Sequence, residues 1–203
     1  FGPTEDGLEG LSNLGRRDTR VTNLEQANYR PKPTSAFARL PVHRRDGRQE
    51  SLGRARLGSG ETFLEFRLDY LSKPIAGAEA IRKFLAEEPE VTILATCRRH
   101  QNHGKFNGSI EEQLRILEAA IDAGARAVDI EIESAELAHA AVEHLRSKAW
   151  VIISFHNFGG TPAVDPVLKR MLKLPADAYK LVTTAKKPSD SYRVLSLATS
   201  HPK

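Results

Sequence analysis

Five stretches of this chain end in residues that could share one piece of chemistry: Glu65 and Arg67, Thr96 and Arg98, Asp129 and Glu131, Ser154 and His156, and Lys180. An ammonium directed into a protein interior is costly unless it gives up its proton or is paired. A neutral lysine amine attacks a carbonyl carbon and forms an imine. His156 is the natural proton carrier, because an imidazole titrates near neutrality. Arg67 and Arg98 suit the hydroxyls and carboxylates of an anionic substrate. Each residue also has a plainer explanation. Lys180 could be an ion pair with Glu131, His156 a structural histidine after a strand, and Arg67 a salt-bridge rung between Glu65 and Asp69. At five consecutive strand ends the plain explanation has to be invoked five times, so one functional cluster is the expectation.

Elements capable of gathering these residues are legible after Gly60. Strand-like runs occupy 62–70, 91–98, 127–133, 150–158 and 178–185, with helical stretches at 77–87, 109–123, 135–148, 163–172 and 189–198. Ser109 followed by Glu111 and Glu112 reads as a hydroxyl cap before an acidic first turn. Leu114, Leu117, Ala120 and Ile121 then recur at helical spacing, and Gly124 supplies the stop. Strands alternating with helices predict βα units and a parallel sheet. A doubly wound sheet is buried on both faces and its strands read as continuous apolar runs. Here Leu64, Phe66 and Leu68 alternate with Glu65, Arg67 and Asp69, and Val128, Ile130 and Ile132 alternate with Asp129, Glu131 and Glu133. One greasy face and one charged face predict an α/β fold of the (β/α) TIM-type barrel kind, with its polar site at the C-terminal strand ends. No glycine-rich dinucleotide turn follows any strand.

Composition separates the chain into two regimes. Residues 1–60 hold 11 basic and 7 acidic residues, whereas the remaining 143 hold 19 of each. The net charge of +4 therefore belongs to the first segment, which is Arg-rich and irregular. It reads as disordered or non-native; an arm for nucleic acid is the less supported alternative, since no aromatic interleaving accompanies the charge. The expected division is 1–60 irregular and 61–203 barrel. One cysteine, Cys97, excludes an internal disulfide framework and a cysteine-based zinc cluster. With no apolar run long enough to span a bilayer and no signal peptide, the chain reads as cytoplasmic, with no membrane partner.

The same residues resemble the type I 3-dehydroquinate dehydratases. Phe63-Leu64-Glu65-Phe66-Arg67-Leu68-Asp69 resembles the Glu-x-Arg-x-Asp strand of that family, and Thr96-Cys97-Arg98 its Thr-x-Arg strand end. Val128-Asp129-Ile130-Glu131 resembles its acidic strand, and Ser154-Phe155-His156-Asn157-Phe158 its Ser-x-His-(Asp/Asn)-Phe motif. Tyr179-Lys180-Leu181 sits where the family has its imine-forming lysine. The resemblance covers about residues 62–203. It implies a lyase that converts 3-dehydroquinate to 3-dehydroshikimate in the shikimate pathway of aromatic amino acid biosynthesis. In that reading Lys180 forms the Schiff base and His156 is the general acid and base. Glu65, Arg67 and Arg98 hold the substrate. No metal or organic cofactor is implied, because the iminium is the electron sink. A homodimer is compatible with the family, as is fusion to a shikimate dehydrogenase.

The sequence departs from the family pattern in three places. Asn102 stands where many relatives have a glutamate close to the catalytic histidine, so Asp129 or Glu131 is expected to orient His156. The chain stops before the seventh and eighth strands of a full barrel, and no first strand is recognisable before Thr62. The expectation is therefore an incomplete barrel with uncovered apolar inner surface and unpaired edges, prone to aggregate alone. A class I aldolase and a non-catalytic interaction piece are the competing functions.

Overall fold

The computed structural model describes residues 62–200; the expectations for residues 1–60 lie outside the described residues. Five strands form one sheet: β1 (Phe63–Arg67), β2 (Thr92–Thr96), β3 (Ala127–Glu131), β4 (Trp150–Asn157) and β5 (Ala178–Thr183). All neighbours are parallel, in the order β1-β2-β3-β4-β5. The helices between and after them are α1 (Gly77–Glu87), α2 (Ile110–Asp122), α3 (Ile132–Leu137), α4 (His139–Lys148), α5 (Val164–Met171) and α6 (Pro188–Ser200).

Strand alternation sorts the core into two clusters. Leu64, Phe66, Ile93, Ala95, Val128, Ile130, Val151 and Ile153 pack in one cluster with Ile81 and Phe84 of α1, Leu117 and Ile121 of α2, Val142 and Leu145 of α4 and Met171 of α5. The opposite parity supplies Phe63, Leu94, Ala127 and Ile152, with Trp150 and Ala178 against them. The described helices thus cover one face only. Consecutive strand order with helices on one face is the barrel arrangement, whereas a doubly wound sheet reverses its order and covers both faces. The inner apolar layer is buried, with Phe63, Leu94, Ala127 and Ile152 all at or below 6% exposure. Toward the edge strand the inner face opens, with Trp150 and all of β5 half-buried.

Local chemistry sets the element ends. Ser109 accepts the Glu112 N–H and caps α2. Gly124, at φ 114°, stops that helix in a conformation suited to glycine. Of the boundaries that differ from the sequence reading, two have a visible local cause. The first strand ends at Arg67 rather than Tyr70, because Leu68–Tyr70 turns as a 3-10 helix while Arg67 folds back on Asp69. The helix expected over 135–148 is two helices beginning at Ile132, broken at Ala138 with φ −131° and ψ 41°.

Candidate active site

The inner parity continues past the apolar layer into polar residues. Register sets Arg67 beside Thr96 and Thr96 beside Asp129. It likewise sets Glu131 beside Ser154 and Ser154 beside Lys180. Arg98 lies two residues beyond Thr96 and keeps its parity.

Asp129 and Arg98 are the hub of this mouth. Asp129 is fully buried, and its Oδ2 lies 3.0 Å from Lys180 Nζ. Its Oδ1 accepts from Ser154 Oγ at 2.5 Å and lies 3.0 Å from Arg98 Nη2. Burial alone pushes this carboxyl up, but Arg98, Lys180 and the Ser154 hydroxyl overcome it and hold Asp129 well below the usual carboxylate range. Lys180 thus takes the paired alternative, but its partner is Asp129 and not Glu131.

Arg98 is 4% exposed. Its Nη1 donates to Ser154 Oγ at 2.8 Å, lies 3.6 Å from Glu131 and lies 3.5 Å from His156 Nδ1. Guanidinium only donates, so a neutral His156 presents the Nδ1 lone pair to it. Burial, then the charge of Arg98, lowers the His156 pKa to about 3, with Asp129 opposing. The imidazole is therefore neutral at physiological pH, the protonation state a base requires.

The remaining expected residues divide. Glu65 accepts from Thr96 Oγ1 at 2.7 Å on the inner face. Arg67 makes two 2.8 Å bonds to Asp69 and lies under the Tyr70 ring, 4.9 Å from its centroid. Asp69 also accepts the Lys105 N–H at 3.0 Å, tying the loop after β2 to β1. Asn102 donates to Glu133 at 3.3 Å rather than facing His156. Glu131 accepts the Arg99 N–H at 2.8 Å and Gln113 Nε2 at 2.6 Å, so it braces the Arg98–Arg99 backbone. Burial pushes Glu131 above its usual range, against Arg98 and these donors.

Sequence reasoning passed over Gln113. This fully buried side chain donates to Glu131 and to the Cys97 carbonyl and accepts from Ser134 Oγ at 2.9 Å. Its signal was positional: Gln113 occupies the apolar stripe of α2 with Ile110, Leu114 and Leu117, where an amide needs partners. Among the described residues no three His, Cys, Asp or Glu side chains converge as metal ligands.

The mouth can therefore hold a cation at Lys180 beside a fixed anion and a neutral imidazole. Comparisons with known proteins bear on the family. The family model for type I 3-dehydroquinase matches residues 37–203. A 3-dehydroquinate dehydratase of Dehalococcoides mccartyi is 37% identical over 146 residues, covering 70% of this chain and 62% of that protein. The Methanothermobacter thermautotrophicus 3-dehydroquinate dehydratase is 36% identical over 153 residues, covering 74% and 66%. Among solved structures, the Geobacillus kaustophilus 3-dehydroquinate dehydratase superposes with TM-score 0.63 at 23% identity, covering 71% of this chain and 60% of that one. The Clostridium difficile type I enzyme, solved with covalently modified comenic acid, gives 0.61 at 20% identity, covering 68% and 59%. The chain thus spans less than two thirds of the length of these relatives. With both the motifs and five barrel-ordered strands in place, this chain belongs to the type I 3-dehydroquinase family.

Proposed function

We propose that the chain carries the catalytic strands of a lyase that dehydrates 3-dehydroquinate to 3-dehydroshikimate through a Schiff base. The Lys180 ammonium gives up a proton as its nitrogen adds to the ring ketone, and that proton leaves with the carbinolamine hydroxyl as water, leaving a protonated imine. His156, neutral and so able to accept a proton, takes one from the adjacent carbon, and the freed electron pair moves into the iminium as an enamine. The enamine then expels the β-hydroxyl, which leaves as water with the proton returned from His156. Hydrolysis releases the product and restores the amine. Atoms and charge balance with no redox partner.

The observation that carries this reading is the 3.0 Å contact between Lys180 and the buried Asp129, with neutral His156 reached through Arg98. Imine formation keeps a positive charge on the lysine nitrogen, so the carboxylate that holds the ammonium also stabilises the iminium that replaces it. Glu65, Arg67 and Arg98 hold ring hydroxyls and orient the ring. Asp69 and Glu131 fix the two arginines for that task. The same reading places the protein in the shikimate pathway and in the cytoplasm, acting on a small molecule. No described helix is long and apolar enough to cross a membrane.

The test offers the chain 3-dehydroquinate and, separately, a class I aldolase substrate, each with borohydride. A retained reduced adduct from the first alone supports the reading. An adduct from the second alone overturns it in favour of an aldolase. A folded chain that retains neither is a non-catalytic piece.

A further inference from the structure

His103 has φ 59° and ψ 23°, and among the described residues it is the only non-glycine residue with positive φ. A residue with a Cβ is disfavoured there, and such outliers gather where the surroundings impose them. The surroundings here are a tightly bonded loop. His103 N–H donates to the His100 carbonyl at 3.0 Å, Gly104 N–H to that of Arg99 at 2.9 Å, and Phe106 N–H to that of Arg98 at 3.1 Å. Gly104 itself passes so close to the Arg98 carbonyl that no Cβ fits. The loop is therefore fastened to the backbone of the arginine that faces His156.

On this loop the His103 ring packs against Phe158, at 4.4 Å between centroids. Phe158 in turn stacks on His156, at 5.9 Å and 20° between planes. Phe158 is pinned from its own side. Asn157 Oδ1 accepts the Gly159 and Gly160 N–H groups at 2.9 and 3.1 Å, folding the chain back directly after the ring. Phe158 is 45% exposed and takes no part in the buried core. Its placement reflects the two histidines rather than core packing.

We propose that His103 and Phe158 form an aromatic cover on His156, a positioning pair that spans from the loop after β2 to the end of β4 and keeps water off one face of the imidazole. The cover does what a carboxylate partner does not: it sets the protonation of His156 by excluding solvent rather than by pairing with a charge. Asn102, the residue before His103, is turned away to Glu133, so aromatic contact is the link this loop makes to the histidine. The charged groups that face His156 are Arg98 beyond β2, Arg67 on β1, Asp129 on β3 and Lys180 on β5. None of them belongs to the cover, so removing it leaves them in place. The proposal concerns the free chain and does not depend on which substrate it takes.

The test is an NMR titration of the histidine ring protons in the 203-residue chain and in three variants. Phe158→Ala removes the cover. His103→Asn keeps a residue that tolerates the left-handed conformation but removes the ring. His103→Phe keeps an aromatic ring. In the parent, the His156 signal stays in its neutral position between about pH 7 and pH 5. In Phe158→Ala and His103→Asn its proton affinity rises at least about tenfold, toward the ordinary midpoint near 6.5, whereas His103→Phe follows the parent. Unchanged His156 titration in both ring-deleting variants, with amide spectra showing a folded chain, would overturn the proposal. So would equal displacement in all three variants.

Discussion

Nη1 of Arg98 lies 3.5 Å from Nδ1 of His156, and the guanidinium is held there by Asp129 at Nη2 and by Ser154 and Glu131 at Nη1. A guanidinium has five donors and no acceptor, so the neutral imidazole turns a lone pair to it and carries its proton on Nε2. Nitrogen-15 spectra of histidine-labelled protein at neutral pH are expected to show His156 as the Nε2–H tautomer. An Nδ1–H signature would contradict this geometry.

The same guanidinium neutralises two buried carboxylates. Arg98→Met leaves Asp129 and Glu131, each about 1% exposed, without their shared cation. Breaking a buried charge pair from one side costs about 3–5 kcal/mol, and urea denaturation measures it. A loss below about 1 kcal/mol would mean that Arg98 is not their principal partner.

Gln113→Leu nearly preserves volume and keeps an equally good helix former in α2. Any destabilisation therefore comes from the three partners left behind, Glu131, the Cys97 carbonyl and Ser134. The expected loss is about 1–3 kcal/mol. A neutral or stabilising result would show that the strut carries no energy.

His156 also makes stability depend on pH. The unfolded chain takes a proton on this residue near pH 6.5, while the folded chain, with burial and Arg98 opposing the charge, takes it only near 3. The unfolded state thus binds more protons between those values, so the His156 contribution is fully present above about 6.5 and is lost as pH falls toward 3. His156→Gln should reduce the difference in denaturation midpoint between about pH 7 and pH 5. An identical pH slope in parent and variant would rule this out.

How far the sequence carried can be judged residue by residue. Five strands, their parity and the α2 cap were legible because each rests on a local rule: alternation, helical spacing or a hydroxyl before acidic residues. The convergence of Asp129, Ser154, His156 and Lys180 followed from parity alone. What parity does not contain is which neighbour a long side chain chooses. Lys180 reaches diagonally to Asp129 instead of to Glu131, and Asn102 turns to Glu133. Those choices depend on the stagger between strands, which is set by the whole sheet. The early end of β1 was hidden for a similar reason: Arg67 and Asp69 alternate like a strand, but their mutual pairing bends the chain. His103 was invisible as a strained residue because backbone angles are imposed by the loop that closes on Arg98.

The central claim is that Lys180 is the covalent residue, and reductive trapping with peptide mapping tests it most directly. Treating the chain with 3-dehydroquinate and borohydride is expected to add the reduced ligand's mass to the peptide containing Lys180. Lys180→Ala should abolish that addition while leaving the chain folded. An adduct mapped to any other lysine, or a folded parent chain with no adduct, would contradict the account.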